Sequence, residues 1–551
     1  MKRASKNAIR ALAAMVFLAA FLEGCRKPEA QKEVIRPFAG VDTAQVDSLL
    51  KVMSPEEKIG QLIIWQPDLA DTTLPLLETV ASNKTGGLML ENLPLHRFIS
   101  LRDTCKMLAK APLFFGTDEK VSLHNLFSEL PDFPQPASLG AIDSSGLHRF
   151  LEEHYWKQCK ALGINFSFLP TLKFDDPAAA DFDFQTFEND TTAIIARSHW
   201  AAQKLMRNRI LAVADDFSEL IFEPNDTLRD TLLRRYEFVA RTGLTGLLVS
   251  DDVFLNDSLP KLPARFVGNY MRNELDFNGL VVARLGRKES PDAKILQGAD
   301  LLVTVDAEAV FQKISRMRAT NKLSDFDLDR KVRQILTAKA WVSGGRLPLR
   351  IIAPPTDTLP QPTIFVSEGD SRWGQAAVVQ VNSPFCEAQS GDEIHCYFED
   401  PNWGWFARTL FEKSVVLAQD EQQVVPLGDL ADGDFRLFEI TRRNFRDFRT
   451  NFGKYADFQA LPSPPDASGS LKNLAFEKPG DRPVAIVLLD SLNLQPGFHK
   501  DFIASLNELS KSVKTVLVNF GNPKNLRHFD RNLACLQIFE RNKFTEAYAA
   551  Q

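Results

Sequence analysis

The chain has 551 residues, more than one ordinary hydrophobic core organises, so two domains behind a leader are expected. Apolar residues at 44% and charged residues at 25% exclude a disordered chain and a protein made mainly of membrane spans. Lysine plus arginine total 65 against 71 for aspartate plus glutamate, and the resulting net charge of -6 gives no electrostatic reason for a nucleic-acid partner.

The first element is a leader. Lys2, Arg3, Lys6 and Arg10 precede an apolar run over residues 11–22 that is too short to cross a bilayer, the pattern of an export signal. It ends in Leu22-Glu23-Gly24-Cys25, which resembles a bacterial lipobox. On that resemblance residues 1–25 are a lipoprotein signal peptide, Cys25 is lipidated and becomes the first mature residue, and residues 26–42 tether the fold to a membrane of the cell envelope. Glu23 departs from the small or apolar residue usual there, and a plain secretory signal with an incidental cysteine is the alternative. Of the other cysteines, Cys105 and Cys159 sit in helix-like apolar surroundings and read as buried thiols. Cys386 and Cys396 flank a polar loop and could pair in an oxidising compartment. None lies in a histidine pattern that suggests a metal, and no cofactor is expected.

From 43 to 342 short apolar runs alternate with amphipathic stretches of helical period, the signature of repeated βα units. The strands read as 86–90 (GGLML), 112–117 (PLFFGT), 164–169 (INFSFL), 210–214 (ILAVA), 246–250 (GLLVS), 279–283 (GLVVA) and 300–305 (DLLVTV), with an eighth near 61–65 (QLIIW). That set predicts a TIM-type (β/α)₈ barrel, with function at the carboxyl ends of the strands. Residues 343–402 are rich in proline and glycine and read as a linker with irregular structure. A second α/β unit follows over 403–551, with apolar strands at 434–440, 483–489 and 513–520. Either this domain is short or the sequence is truncated.

The order of the segments carries a family resemblance. MSPEEKIGQL (53–62), GGLML, PLFFGTDE (112–119), FPQPASLGA (133–141), KALGINFSFLPTL (160–172), YMRNELDFNGLVV (270–282), ILQGADLLV (295–303) and VRQILTAKAW (332–341) are similar, in order, to the landmarks of glycoside hydrolase family 3 barrels. LFEKSVVL (410–417), VVPL (424–427) and VNFGNPKNL (518–526) resemble the family's α/β sandwich domain. The resemblance therefore implies a β-N-acetylhexosaminidase-like or β-glucosidase-like ancestor, with Asp118 at the place of a sugar-binding aspartate.

The chemistry expected from the resemblance is missing at the key positions. The family's nucleophile is an aspartate two residues past the strand that follows the Phe-x-Gly element, and here Phe277-Asn278-Gly279 and the next four residues lead to Arg284. A guanidinium keeps its protons and cannot attack an anomeric carbon. It would also oppose a cationic transition state by about 4 kcal/mol at about 4 Å and an effective dielectric near 20. The hexosaminidase branch places its proton-donor histidine in a loop, but the matching strand here continues as Asp215-Asp216-Phe217-Ser218 without a histidine, and the segment 221–234 is too short for that loop. The glucosidase branch draws its acid from a second-domain glutamate, for which no matching motif is evident. Lys173 replaces another binding aspartate, Gln185-Thr186-Phe187 replaces an Arg-Ser-Phe element, and Lys120, Val121 and His124 stand where a glycine pair and an arginine are usual.

The run 247–252 looks like a nucleophile motif in isolation, yet it precedes the Tyr270–Val282 landmark, so Asp251 is assigned to the strand before. The acidic residues Asp215, Asp216, Asp251 and Asp252 read first as a solvated rim and second as a cation site. Ser258-x-x-Lys261 is read as coincidence, lying in a proline loop. The expectation is a catalytically inactive envelope lipoprotein that binds a glycan or peptidoglycan fragment or a protein partner, with a retained Asp118. The rival is an active exo-glycosidase with displaced carboxylates drawn from Asp118, Asp215, Asp216 or Asp251, two of them about 5–10 Å apart and facing one pocket; salt bridges from Arg284 to Asp215 or Asp251 would favour the inactive reading.

Overall fold

The computed structural model describes residues 37–69, 73–171, 191–215, 236–249, 267–286, 289–348, 402–461 and 483–551, apart from 429, 432, 491, 492 and 496, together with 182, 184, 365–367, 378–380 and 467. Of the residues singled out above, Cys25, Lys173, Gln185, Thr186, Phe187, Asp216, Phe217, Ser218, Asp251, Asp252, Ser258, Lys261, Cys386 and Cys396 lie outside the described residues, as does the segment 221–234.

Eight parallel strands close into a barrel: β1 (Ile63–Trp65), β2 (Gly87–Leu88), β3 (Phe114–Thr117), β4 (Phe166–Ser167), β5 (Leu211–Ala214), β6 (Gly246–Leu248), β7 (Leu280–Leu285) and β8 (Leu301–Thr304). Each falls inside an apolar run of the sequence, including the eighth near Ile63, except that β7 extends two residues past its run and takes in Arg284. β8 pairs with β1 through Leu302 and Ile63, which completes the closure.

The landmark motifs are largely framework. Ser54 and Glu57 form a capping box with Pro55 in the first turn, so MSPEEK starts the helix Pro55–Gln61 by its own chemistry. A side chain on Gly60 would place its Cβ 2.0 Å from the Asn83 carbonyl oxygen, and one on Gly86 would lie 2.5 Å from that of Gln61. Only glycine permits this approach of helix to strand. Arg272 donates to the Phe277 and Gly279 carbonyls at 2.7 and 2.6 Å and pairs with Asp300 at 2.6 Å, while Asp300 also accepts from the Val281 amide at 2.8 Å. Two separated landmarks thus clamp the start of β7 together. On the last barrel helix, Asp325–Val342, the buried Lys339 donates to Gln61 and to the Gly86 carbonyl.

A small antiparallel pair, β9 (Phe365–Ser367) and β10 (Val378–Gln380), separates the barrel from a six-stranded sheet. Its strands are β11 (Val416–Gln419), β12 (Asp434–Ile440), β13 (Phe458–Leu461), β14 (Pro483–Asp490), β15 (Lys514–Phe520) and β16 (Ala534–Ile538), in the order β11-β16-β15-β14-β12-β13. All pairs are parallel except β11 with β16. β14 shows why a continuous apolar run marks such a strand: Val484, Ile486 and Leu488 enter one core and Ala485, Val487 and Leu489 the other. The strand order reverses between β12 and β14, which puts a crevice at their carboxyl ends.

The two domains share an apolar seam in which Trp403, Phe406 and Leu410 of the helix Asn402–Lys413 pack on Val121, Phe133 and Leu151 of the barrel. Cys105, Cys159 and Cys535 are buried free thiols, each pushed up to about 12 by burial. Among the described residues no helix is long and apolar enough to cross a membrane.

Candidate functional site

At the carboxyl end of the barrel, four charged side chains from three strand ends converge. β3 is followed by Asp118 and Lys120, β5 by Asp215, and Arg284 is the penultimate residue of β7. The Arg284 guanidinium donates to Asp118 Oδ2 at 2.5 Å, and Lys120 Nζ donates to Asp118 Oδ1 at 3.2 Å. Lys120 also pairs with Asp215 at 2.8 Å and donates to the Phe168 carbonyl at 2.6 Å. The chain of ion pairs runs Arg284, Asp118, Lys120, Asp215, with no net charge.

Burial differs along this chain and sets what each link does. The Lys120–Asp215 pair is nearly closed to solvent, with side chains 7% and 10% exposed, whereas Arg284 and Asp118 remain 38% and 42% exposed. Arg284 lies over the Phe168 ring, 4.6 Å from its centroid, a cation–π placement that fixes the guanidinium plane. From below, Lys294 donates to the Arg284 carbonyl and pairs with Glu289. Burial works against the charge on Asp118, but Lys120 and Arg284 more than offset it and hold the carboxyl below the ordinary aspartate value. Glu119 moves the other way, raised by burial first and by the charge of Asp118.

Both oxygens of Asp118 accept from cations, Oδ1 from Lys120 and Oδ2 from Arg284. Arg284 offers only donors at the place where the resemblance requires a base. A salt bridge from Arg284 to Asp215 or Asp251 was the contact that would favour the inactive reading; Arg284 pairs instead with Asp118, Asp215 pairs with Lys120, and Asp251 lies outside the described residues. The role of Lys120 was missed. Its signal was present two residues after Asp118, where a cation stands near the family's arginine position. Among the described residues no cluster of three or more metal-binding side chains occurs.

A second group of ionisable residues lies where the barrel meets the carboxyl ends of the second sheet. It lines a cleft of about 1160 Å³ reached by Gln135 and Phe184 from the barrel and by Asp490, Glu540, Arg541 and Glu546 from the second domain. Arg541 pairs with Asp490 at 2.5 Å and with Glu546 at 2.7 Å, and Glu546 accepts the Phe448 amide at 3.0 Å. Glu540, just beyond β16, accepts the Gln135 amide across the seam at 3.0 Å, and burial pushes its carboxyl up to about 7. Sequence reasoning overlooked Glu540, and the available signal was an acidic residue at the end of an apolar strand.

No family profile and no curated protein matches the sequence. Solved structures do. A β-glucoside phosphorylase, BglX, bound to 2FGlc superimposes with a TM-score of 0.66 at 16% identity over 92% of this chain and 93% of that one. A glycoside hydrolase family 3 β-N-acetylglucosaminidase from Paenibacillus sp. str. FPU-7 gives 0.59 at 14% identity over 90% and 96%, and a β-glucosidase from Listeria innocua in complex with glucose gives 0.61 at 14% over 92% and 74%. With the closed barrel and the six-stranded sheet in this order, the chain has a glycoside hydrolase family 3-like fold, a TIM-type barrel followed by an α/β sandwich domain.

Proposed function

We propose that this chain is a catalytically silent glycoside-hydrolase-like protein of the cell envelope, anchored through Cys25, which holds a glycan or peptidoglycan fragment or a partner enzyme without cleaving it. The observation that carries the reading is the Arg284–Asp118 ion pair at 2.5 Å, which sets a permanent cation at the nucleophile position and occupies the retained sugar-binding aspartate. Asp118 keeps part of its surface in water and lone pairs to spare, so a sugar hydroxyl can still donate to it beside Arg284. The test is thermal-shift binding to N-acetylglucosamine, N-acetylmuramic-containing fragments and glucose, with 4-nitrophenyl N-acetyl-β-glucosaminide hydrolysis followed in parallel. Binding without hydrolysis is expected, and a clear rate abolished by one barrel substitution would overturn the reading.

One observation favours the rival, an active exo-glycosidase with displaced carboxylates. Glu540 faces the interdomain cleft with a carboxyl at about 7, the range in which an acid gives up a proton at neutral pH. If 4-nitrophenyl glycosides are hydrolysed, Glu540→Gln should remove most of the rate. Persistence of that rate would exclude Glu540 as the donor.

A further inference from the structure

We propose that the base of the barrel, the face opposite Arg284, carries a binding site for the phosphate of an anionic phospholipid headgroup. A cavity of about 560 Å³ opens there between the amino-terminal ends of β3, β4 and β5 and the carboxyl ends of the surrounding helices. Its floor is apolar, from Leu113, Ile164 and Ile210, and its rim carries Lys106, Lys110, Lys160 and Arg209, all exposed. No aspartate or glutamate is among the described lining residues.

Elsewhere on the surface exposed cations meet carboxylates, as in Arg333–Asp47 and Arg318–Asp325, each at 2.6 Å. On this rim only Lys110 does so, with Glu57 at 3.0 Å. Lys106 and Arg209 lie instead over the rings of Phe115 and Trp341, at 5.6 and 5.0 Å, and Lys160 has no ion-pair partner among the described residues. Lys106 also stands close to Arg102, which is itself neutralised by Asp103 at 2.7 Å: a Cβ on Gly163 would sit 3.0 Å from Lys106 Nζ and 3.3 Å from Arg102 Nη1. Cations in the last turn of a helix complement its dipole, which accounts for Lys106 and Lys160 singly. It does not account for four cations around one apolar-floored cavity, a combination that suits a phosphate with glycerol and acyl carbons beneath it.

The position of the tether selects a lipid as the source of that phosphate. Phe38 packs against Trp341 with ring centroids 6.1 Å apart, and the Asp42 amide donates to the Gly345 carbonyl at 3.0 Å, so the chain enters the fold beside Val342 and Gly344 of the cavity wall. The stretch from Cys25 to Pro37 reaches roughly 40 Å when extended. With Cys25 lipidated this face lies toward the bilayer, where cations near the surface attract anionic headgroups. The inference rests on the anchoring reading for its orientation and on the cavity for its chemistry.

The experiment titrates the full chain in non-ionic detergent with dihexanoyl phosphatidylglycerol, dihexanoyl phosphatidylcholine and inorganic phosphate, and repeats this with Lys160→Gln/Arg209→Asn. Asparagine tolerates the positive φ of 61° at position 209, and Lys160→Gln alone serves if the pair fails to fold. Phosphatidylglycerol should bind about tenfold tighter than phosphatidylcholine, and the variant should erase the difference. Equal affinities, an unchanged preference in the variant, or inorganic phosphate binding as tightly as phosphatidylglycerol would each overturn the proposal. Mass spectrometry of Cys25 on the same sample separates failure of the site from failure of the anchor.

Discussion

Both sheets end in a cluster of charged side chains at the carboxyl ends of their strands, yet the two clusters treat their carboxylates differently. In the barrel Asp118 and Asp215 share Lys120, and Arg284 completes the chain. In the second domain Arg541 claims Asp490 and Glu546, and Glu540 accepts the Gln135 amide at the edge of the cleft. Flanking cations hold the Asp118 carboxyl below its ordinary value, whereas burial moves that of Glu540 up to about 7, where it can exchange a proton. The barrel cluster therefore builds structure, and the cleft keeps a titratable group.

The largest effect that would sharpen this contrast is expected from Lys120→Met. It removes the cation that pairs with Asp215 in a nearly closed environment and the donor to the Phe168 carbonyl, which should lower unfolding stability by about 3–5 kcal/mol in chemical denaturation. A loss below about 1 kcal/mol would mean that the pair is solvated and that the barrel cluster is not structural.

The next effect is pH dependence at the seam. Because burial raises the Glu540 carboxyl from 4.5 to about 7 in the folded chain, its contribution is fully present below the unfolded value and is lost as pH rises through about 7. Stability should fall across that window by roughly 3 kcal/mol at most, and Glu540→Gln should flatten the profile. An unchanged profile in the variant would assign the slope to other groups.

The smallest effect is expected from Arg284→Ala. With both partners well exposed, stability should change by about 1 kcal/mol or less. The Asp118 carboxyl should rise, since burial would then be opposed by Lys120 alone, and carboxyl-resonance NMR would read this directly. A large loss of stability would instead give the surface pair the same structural weight as Lys120–Asp215.

The barrel strands were legible because their apolar runs are buried on both sides, and Gly60, Gly86 and the Ser54–Glu57 cap act through local sterics and hydrogen bonds. That Arg284 itself cannot act as a nucleophile was legible for a similar reason, since a guanidinium keeps its protons whatever surrounds it. The partner of Arg284 was not, because Asp118 lies on a different strand, and the competition between Asp118 and Asp215 is decided by where Lys120 reaches. Glu540 escaped notice because its behaviour depends on Gln135 and on desolvation at a seam that exists only when both domains have folded.

The amino-acid sequence by itself determined two α/β units and an eight-stranded barrel, since periodicity travels with the chain. The tertiary structure alone decided which charges neutralise one another at the barrel mouth, which glutamate burial raises at the cleft, and which lysines gather at the base. The physical reason is that electrostatic energies depend on distance and burial between residues far apart in sequence, and only the closed barrel and the docked second sheet set those quantities.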